Sequence, residues 1–185
     1  MYHDLPEFNF EIASTQGGRP IKEQFLTATE WIKSKIYDIE NRIYKPKGEL
    51  CTIGKVKEIV MDFLNNEKIK LESPVIALED KGLRHTLCDI KPHKIPMDIW
   101  KEMPILLEKA EGIYFNIREQ ALVYEIKKGN LIAKVVVQLN YSTKVKIQTG
   151  EGMKRETKII NNLRTGAIIN DNREFMNKGM YKKIK

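Results

Sequence analysis

The chain has 185 residues, 42% hydrophobic and 31% charged, which suits one ordinary domain, alone or with a helical extension, and excludes a compositionally disordered protein. Its net charge of +7 is uneven: residues 118–185 hold 15 Lys and Arg against 6 Asp and Glu, whereas residues 1–117 hold 17 against 19. No apolar run approaches the roughly 20 residues of a membrane-spanning helix, and no basic start followed by an apolar stretch marks a signal peptide, so a cytoplasmic protein with no membrane partner is expected.

Residues 1–19 show no clear period, and "STQGGRP" (14–20) reads as a turn or linker. Pro20 suits a first helical turn. Ile21, Phe25, Ala28, Ile32, Ile36, Ile39 and Ile43 then recur at steps of three and four, which predicts one helix over 20–43. "KPKGE" (45–49) ends it, and a second helix follows over 54–66 with Val56, Ile59, Val60, Phe63 and Leu64 inward. "SPVIAL" (73–78) reads as a short strand, with Asp80 placed to cap a helix over 80–90 that Pro92 ends. Pro96 opens another helix, with Met97, Trp100, Met103, Leu106 and Leu107 inward, and Pro104 kinks or splits it.

From Gly112 the period changes to two. "GIYFNI", "ALVYEIKK" and "LIAKVVVQLNY" are predicted strands, with a hairpin turn at Gly129-Asn130. "STKVKIQ" either continues the last of these or forms another strand. "TGEGMKRE" (149–156) reads as a polar loop, "TKIINNLRTGAII" (157–169) as a last strand bulged near Gly166, and 170–185 as a basic, frayed tail. The expected fold class is α+β, with N-terminal helices packed on a C-terminal antiparallel meander.

The stretch "LEDKGLRHTLCDIKPHKIP" (78–96) holds two of the chain's three histidines. On a helix, Leu83, Leu87 and Ile90 form a core stripe, while Lys81, His85 and Asp89 share another face. His85 so placed can move a proton near neutral pH, Asp89 can orient its ring, and Arg84 can neutralise a phosphate. The alternative is a solvated helix whose Lys, His and Asp serve solubility. Cys51 and Cys88 stand apart, which makes a reduced compartment the default. No metal-ligand spacing, Gly-rich phosphate loop or nucleophile elbow occurs, so neither metal nor cofactor is expected. The basic C-terminal third points to a polyanion, most often nucleic acid, or else to a lysine-rich soluble surface.

The strand and helix "SPVIALEDKGLRH", the Pro-flanked "IPMDIWKEMPILLEKAEGI", the hairpin "YEIKKGNLIAKVVVQLNY" and the late "NLRTGAII" occur in that order. This pattern resembles the phage-associated ribonucleases of the barnase, EndoU, colicin and RelE-like fold over about residues 70–169. The resemblance implies a nuclease-type domain at 70–185, with 1–69 as an N-terminal helical extension. It also implies a metal-independent endoribonuclease, phage-associated or toxin-like. His85, Arg164 and Thr165 would be the catalytic group, and Arg84, His93, Lys134 and Asn140 would meet the substrate, with Asp89 in support. The segment "STKVKIQTGEGMKRE" departs from the pattern. In such chemistry the RNA 2′-hydroxyl is the nucleophile; His85 would serve as base or acid, and arginine would stabilise the phosphorane. RNA is the expected partner. Further candidates are an inhibitor or immunity protein, and a phage or homo-oligomeric partner docking on the N-terminal helices. A nucleic-acid-binding or phage structural protein that does not cut is the alternative.

Overall fold

The structure is a computed structural model that describes residues 21–87 and 92–185, with the backbone alone at 21–26 and 146–148. The turn expected at 14–20, and Cys88, Asp89 and Ile90, lie outside the described residues. Helix α1 (Ile21–Glu40) buries Ala28, Ile32 and Ile36 at the predicted spacing of four. It stops earlier than predicted because Arg42 takes a φ of 58°, and this leaves Ile43 58% exposed.

Segment 50–55, whose last two residues fall in the helix predicted over 54–66, is instead strand β1 (Leu50–Lys55). Gly54 favours this: a Cβ there would lie 3.1 Å from the tip of the Leu107 side chain, which would have to give way slightly. Helix α2 (Glu58–Asn66) therefore starts later, with Val60 and Leu64 buried and Ile59 exposed. Strand β2 (Val75–Glu79) runs directly into α3 (Asp80–Thr86). Pro104 does split its helix: α4 (Met97–Lys101) ends at Glu102, and α5 (Met103–Glu108) takes the proline in its first turn, where no N–H is needed.

The meander forms β3 (Gly112–Asn116), β4 (Ala121–Lys128), β5 (Leu131–Thr149) and β6 (Gly152–Ile169). Strand β5 continues through "STKVKIQ", and the expected loop at 149–156 shrinks to Gly150-Glu151. The Thr149 hydroxyl closes this turn by donating to the Gly152 carbonyl at 2.8 Å. The β5–β6 ladder shifts register where Val136 opposes Thr165 and Val137 opposes Leu163, so Arg164 is the bulged residue, two positions before Gly166. The tail is ordered: a 3-10 helix (Asn172–Met176) precedes β7 (Tyr181–Lys183), which pairs with β3.

The fold is α+β. One seven-stranded sheet has the order β1-β2-β6-β5-β4-β3-β7, antiparallel throughout except where β2 runs parallel to β6. Ile76, Leu78, Phe115, Tyr124, Val135 and Leu163 point to one face and share a core with Ile32, Leu64, Leu83, Trp100 and Leu107 from the helices. Their alternating neighbours point the other way, where no α-helix lies among the described residues. There Tyr114, Val123 and Val136 are covered by Phe175 and Tyr181 of the tail, and Val75 and Ala77 by Ile160 and Tyr141.

Phe175 stacks on Tyr114 with ring centroids 4.2 Å apart and planes 7° from parallel, and both rings are buried. Phe175→Ala is therefore expected to lower unfolding free energy by about 3 kcal/mol, as for other buried aromatic truncations. Chemical denaturation measures it. A loss below about 0.5 kcal/mol, the range of inert surface changes, would mean that the tail is not docked.

Candidate nucleic-acid interface

Leu83 and Leu87 anchor α3 in the core, which turns Arg84 and His85 outward; both are exposed in its last turn. Of the predicted face, Lys81 and His85 are described, and Lys81 pairs with Glu79 at 3.5 Å. His93 is exposed with a φ of 57°, and its carbonyl accepts from the Ile168 backbone N–H at 2.8 Å, tying its loop to β6. Arg164 pairs with Glu119 at 2.8 Å, and Thr165 is half-buried opposite Val136. No hydrogen bond or ion pair joins Arg84 or His85 to Arg164 or Thr165 among the described residues.

Lys134 and Asn140 have structural partners. Lys134 pairs with Glu174 of the tail. Asn140 takes a φ of 49°, and its side-chain amide accepts from Glu72 N–H and donates to the Lys70 carbonyl, both at 2.9 Å. It thereby straps the loop before β2 onto β5.

The junction of β2 and α3 is polar and buried. Asp80 is fully buried; its carboxylate accepts from the backbone N–H of Lys47 and of Lys81, each at 2.8 Å. Burial first, and then the charge of Asp80, push the Tyr44 hydroxyl up to about 12. Glu79, also buried, accepts a hydrogen bond from the Thr143 hydroxyl. These contacts bring the base of the β5–β6 hairpin against α3. A shallow depression of about 30 Å³, room for one water, has both Lys81 and Lys144 in its wall.

Beyond this base the β5–β6 hairpin is a two-stranded ribbon, and its ladder register sorts its charges. Tyr141, Thr143, Val145, Glu156, Lys158 and Ile160 share one face. There the carboxylates find partners: Glu156 pairs with Lys158 at 3.1 Å, and Glu151 at the tip pairs with Lys154 at 3.1 Å. Ser142, Lys144, Met153, Arg155, Thr157 and Ile159 share the opposite face, and all are exposed. This outward face carries no carboxylate. Lys144 and Arg155 have no carboxylate partner among the described residues, and Lys146 stands across from Arg155 in register.

Sequence reasoning missed this face because residues 149–156 read as a loop. The signal was present in the alternation of Lys144 and Lys146 with apolar residues, which becomes a face only once the facing strand is in register. Among the described residues no cluster of three or more His, Cys, Asp and Glu side chains is placed to hold a metal ion, and no helix is long and apolar enough to cross a membrane. Comparison with protein-family models, with curated proteins and with solved structures finds no match.

Proposed function

We propose that this protein binds nucleic acid, RNA in the first instance, through the outward face of the β5–β6 ribbon. The observation that carries this reading is the separation of charge on the ribbon. Its carboxylates are paired off on one side and at the tip, which leaves Lys144 and Arg155 unneutralised on the other. Two-stranded ribbons are of a size to follow a nucleic-acid groove or backbone. Cations held on a ladder meet phosphates with little loss of freedom, and releasing condensed counterions supplies the binding energy. Such contacts fix position and carry no sequence information. Exposed Met153 and Ile159 add apolar surface on the same face.

The expected signature is salt dependence. Lys144→Glu with Arg155→Glu is expected to weaken binding of a labelled single-stranded RNA roughly tenfold or more at low salt, and to flatten the log–log salt slope by about 1.5 to 2. Fluorescence anisotropy across a salt series measures both. Unchanged affinity and slope in a variant of normal thermal stability would refute the ribbon assignment.

One observation favours endonucleolytic cleavage as a second reading. Arg84 and His85 are exposed together on the helix whose first turn shares a depression with Lys144. In this reading a strand held by the ribbon passes α3. His85 takes the 2′-hydroxyl proton or protonates the leaving 5′-oxygen, and Arg84 faces the charged phosphorane. Arg164 and Thr165 stand on β6, the strand beside β2, and in this reading they join His85 as the catalytic group that the resemblance implies. Incubation of tRNA and mRNA with the protein in EDTA separates the two readings. Binding alone leaves both RNAs intact. Cleavage to 2′,3′-cyclic phosphate ends by the wild type, lost in His85→Ala, would establish the enzyme instead.

A further inference from the structure

The tail builds a second feature on the sheet face opposite the described α-helices. Between the 3-10 helix and β7 lies an open groove of about 680 Å³, within the range of small-molecule sites. Behind it lie three largely buried rings: Tyr114 and Phe175 are stacked, and Tyr181 meets Phe175 edge-on with centroids 5.4 Å apart. Met176 lines the same groove and is 67% exposed. The remaining wall is cationic, formed by Lys178, Lys182 and Lys183, with no carboxylate in the lining. Glu67 holds Lys182 at 2.7 Å, whereas Lys178 and Lys183 have no carboxylate partner among the described residues.

The groove is pre-formed. The Asp171 side chain caps the 3-10 helix by accepting from Arg173 N–H at 2.8 Å. Glu174 is fixed by Lys134 and by the Tyr181 hydroxyl at 2.9 Å. The exposed Met176 thioether beside largely buried aromatic rings offers polarisable apolar surface, which suits a planar ring. Two unneutralised ammonium groups at its edge call for one or two negative charges. A ring joined to a phosphate by a short linker meets both demands.

We infer that this groove binds a nucleotide, with its base against Met176 and its phosphate at Lys178 and Lys183. The nucleotide is either free or an unstacked residue of a single strand, where stacking tolerates any base. None of the groove residues lies on the ribbon, so the site stands or falls apart from the ribbon reading.

Isothermal titration of the full chain with AMP, UMP and an octamer of U, against ribose 5-phosphate as a base-free control, tests it. AMP or UMP binding assigns a free nucleotide, and binding of the octamer alone assigns a strand where it persists in Lys144→Glu with Arg155→Glu, which removes the ribbon's cations. In either case Lys178→Gln with Lys183→Gln is expected to weaken binding at least about fivefold with the thermal midpoint unchanged, since each lost phosphate contact removes an electrostatic term. Lys144→Glu with Arg155→Glu should leave AMP and UMP binding as it was. Three results would each overturn the site. One is no binding of any of the three nucleotide ligands at millimolar concentration. Another is ribose 5-phosphate binding as tightly as AMP. The last is an unaltered affinity in the double lysine variant.

Discussion

A sheet whose described α-helices all lie on one face must still hide the apolar side chains of the other, and this constraint organises the molecule. Ile76, Leu78, Tyr124 and Val135 are met by helices, but Val75, Ala77, Val123 and Val136 alternate with them and face away. Two devices cover that second set. The tail lays Phe175 and Tyr181 over Tyr114, Val123 and Val136. The β5–β6 hairpin brings Tyr141 and Ile160 over Val75 and Ala77, and seats Thr143 on Glu79. Both devices are therefore anchored by burial at their base, while their far sides remain in solvent. The candidate sites lie on those far sides: the outward ribbon face, and the groove between the 3-10 helix and β7.

The same arrangement decides which cations are free to act. Lys134 is on the sheet face opposite the described α-helices, where the tail's Glu174 claims it. Lys158 and Lys154 are held by Glu156 and Glu151 on their own hairpin. Exposed pairs of this kind add little stability, near 0–1 kcal/mol. Their effect is to remove charge from one side of the ribbon. On the opposite side Lys144 and Arg155 have no carboxylate partner among the described residues, and there a polyanion is proposed to bind.

Much of the fold was legible in the chain. Period-two alternation and the Gly129-Asn130 turn mark β3 to β5, and the steps of three and four in α1 mark its buried stripe. Pro104 marks the break between α4 and α5. What stayed hidden depended on distant partners. The stretch Cys51–Lys55 is short and holds a glycine, and only its pairing with β2 and the close approach of Leu107 explain it as a strand. The polar residues 149–156 become strand because the opposite strand supplies their hydrogen bonds. The tail reads as frayed until Tyr114 offers Phe175 a surface. The site follows the same rule. The exposure of His85 follows from its place relative to Leu83 and Leu87, but the partners of Lys134 and Asn140 lie 40 and about 70 residues away in sequence. Faces can be read locally; partners across the sheet cannot.

The ribbon makes the account open to a direct physical test. Beyond the sheet its outer backbone edges are unpaired, so its amides exchange readily with solvent compared with the core strands. Hydrogen–deuterium exchange of the full chain, with and without a saturating single-stranded RNA, reports where the nucleic acid sits. The account predicts slowed exchange concentrated in residues 142–159. Slowing confined to other elements, with the ribbon unchanged, would contradict it.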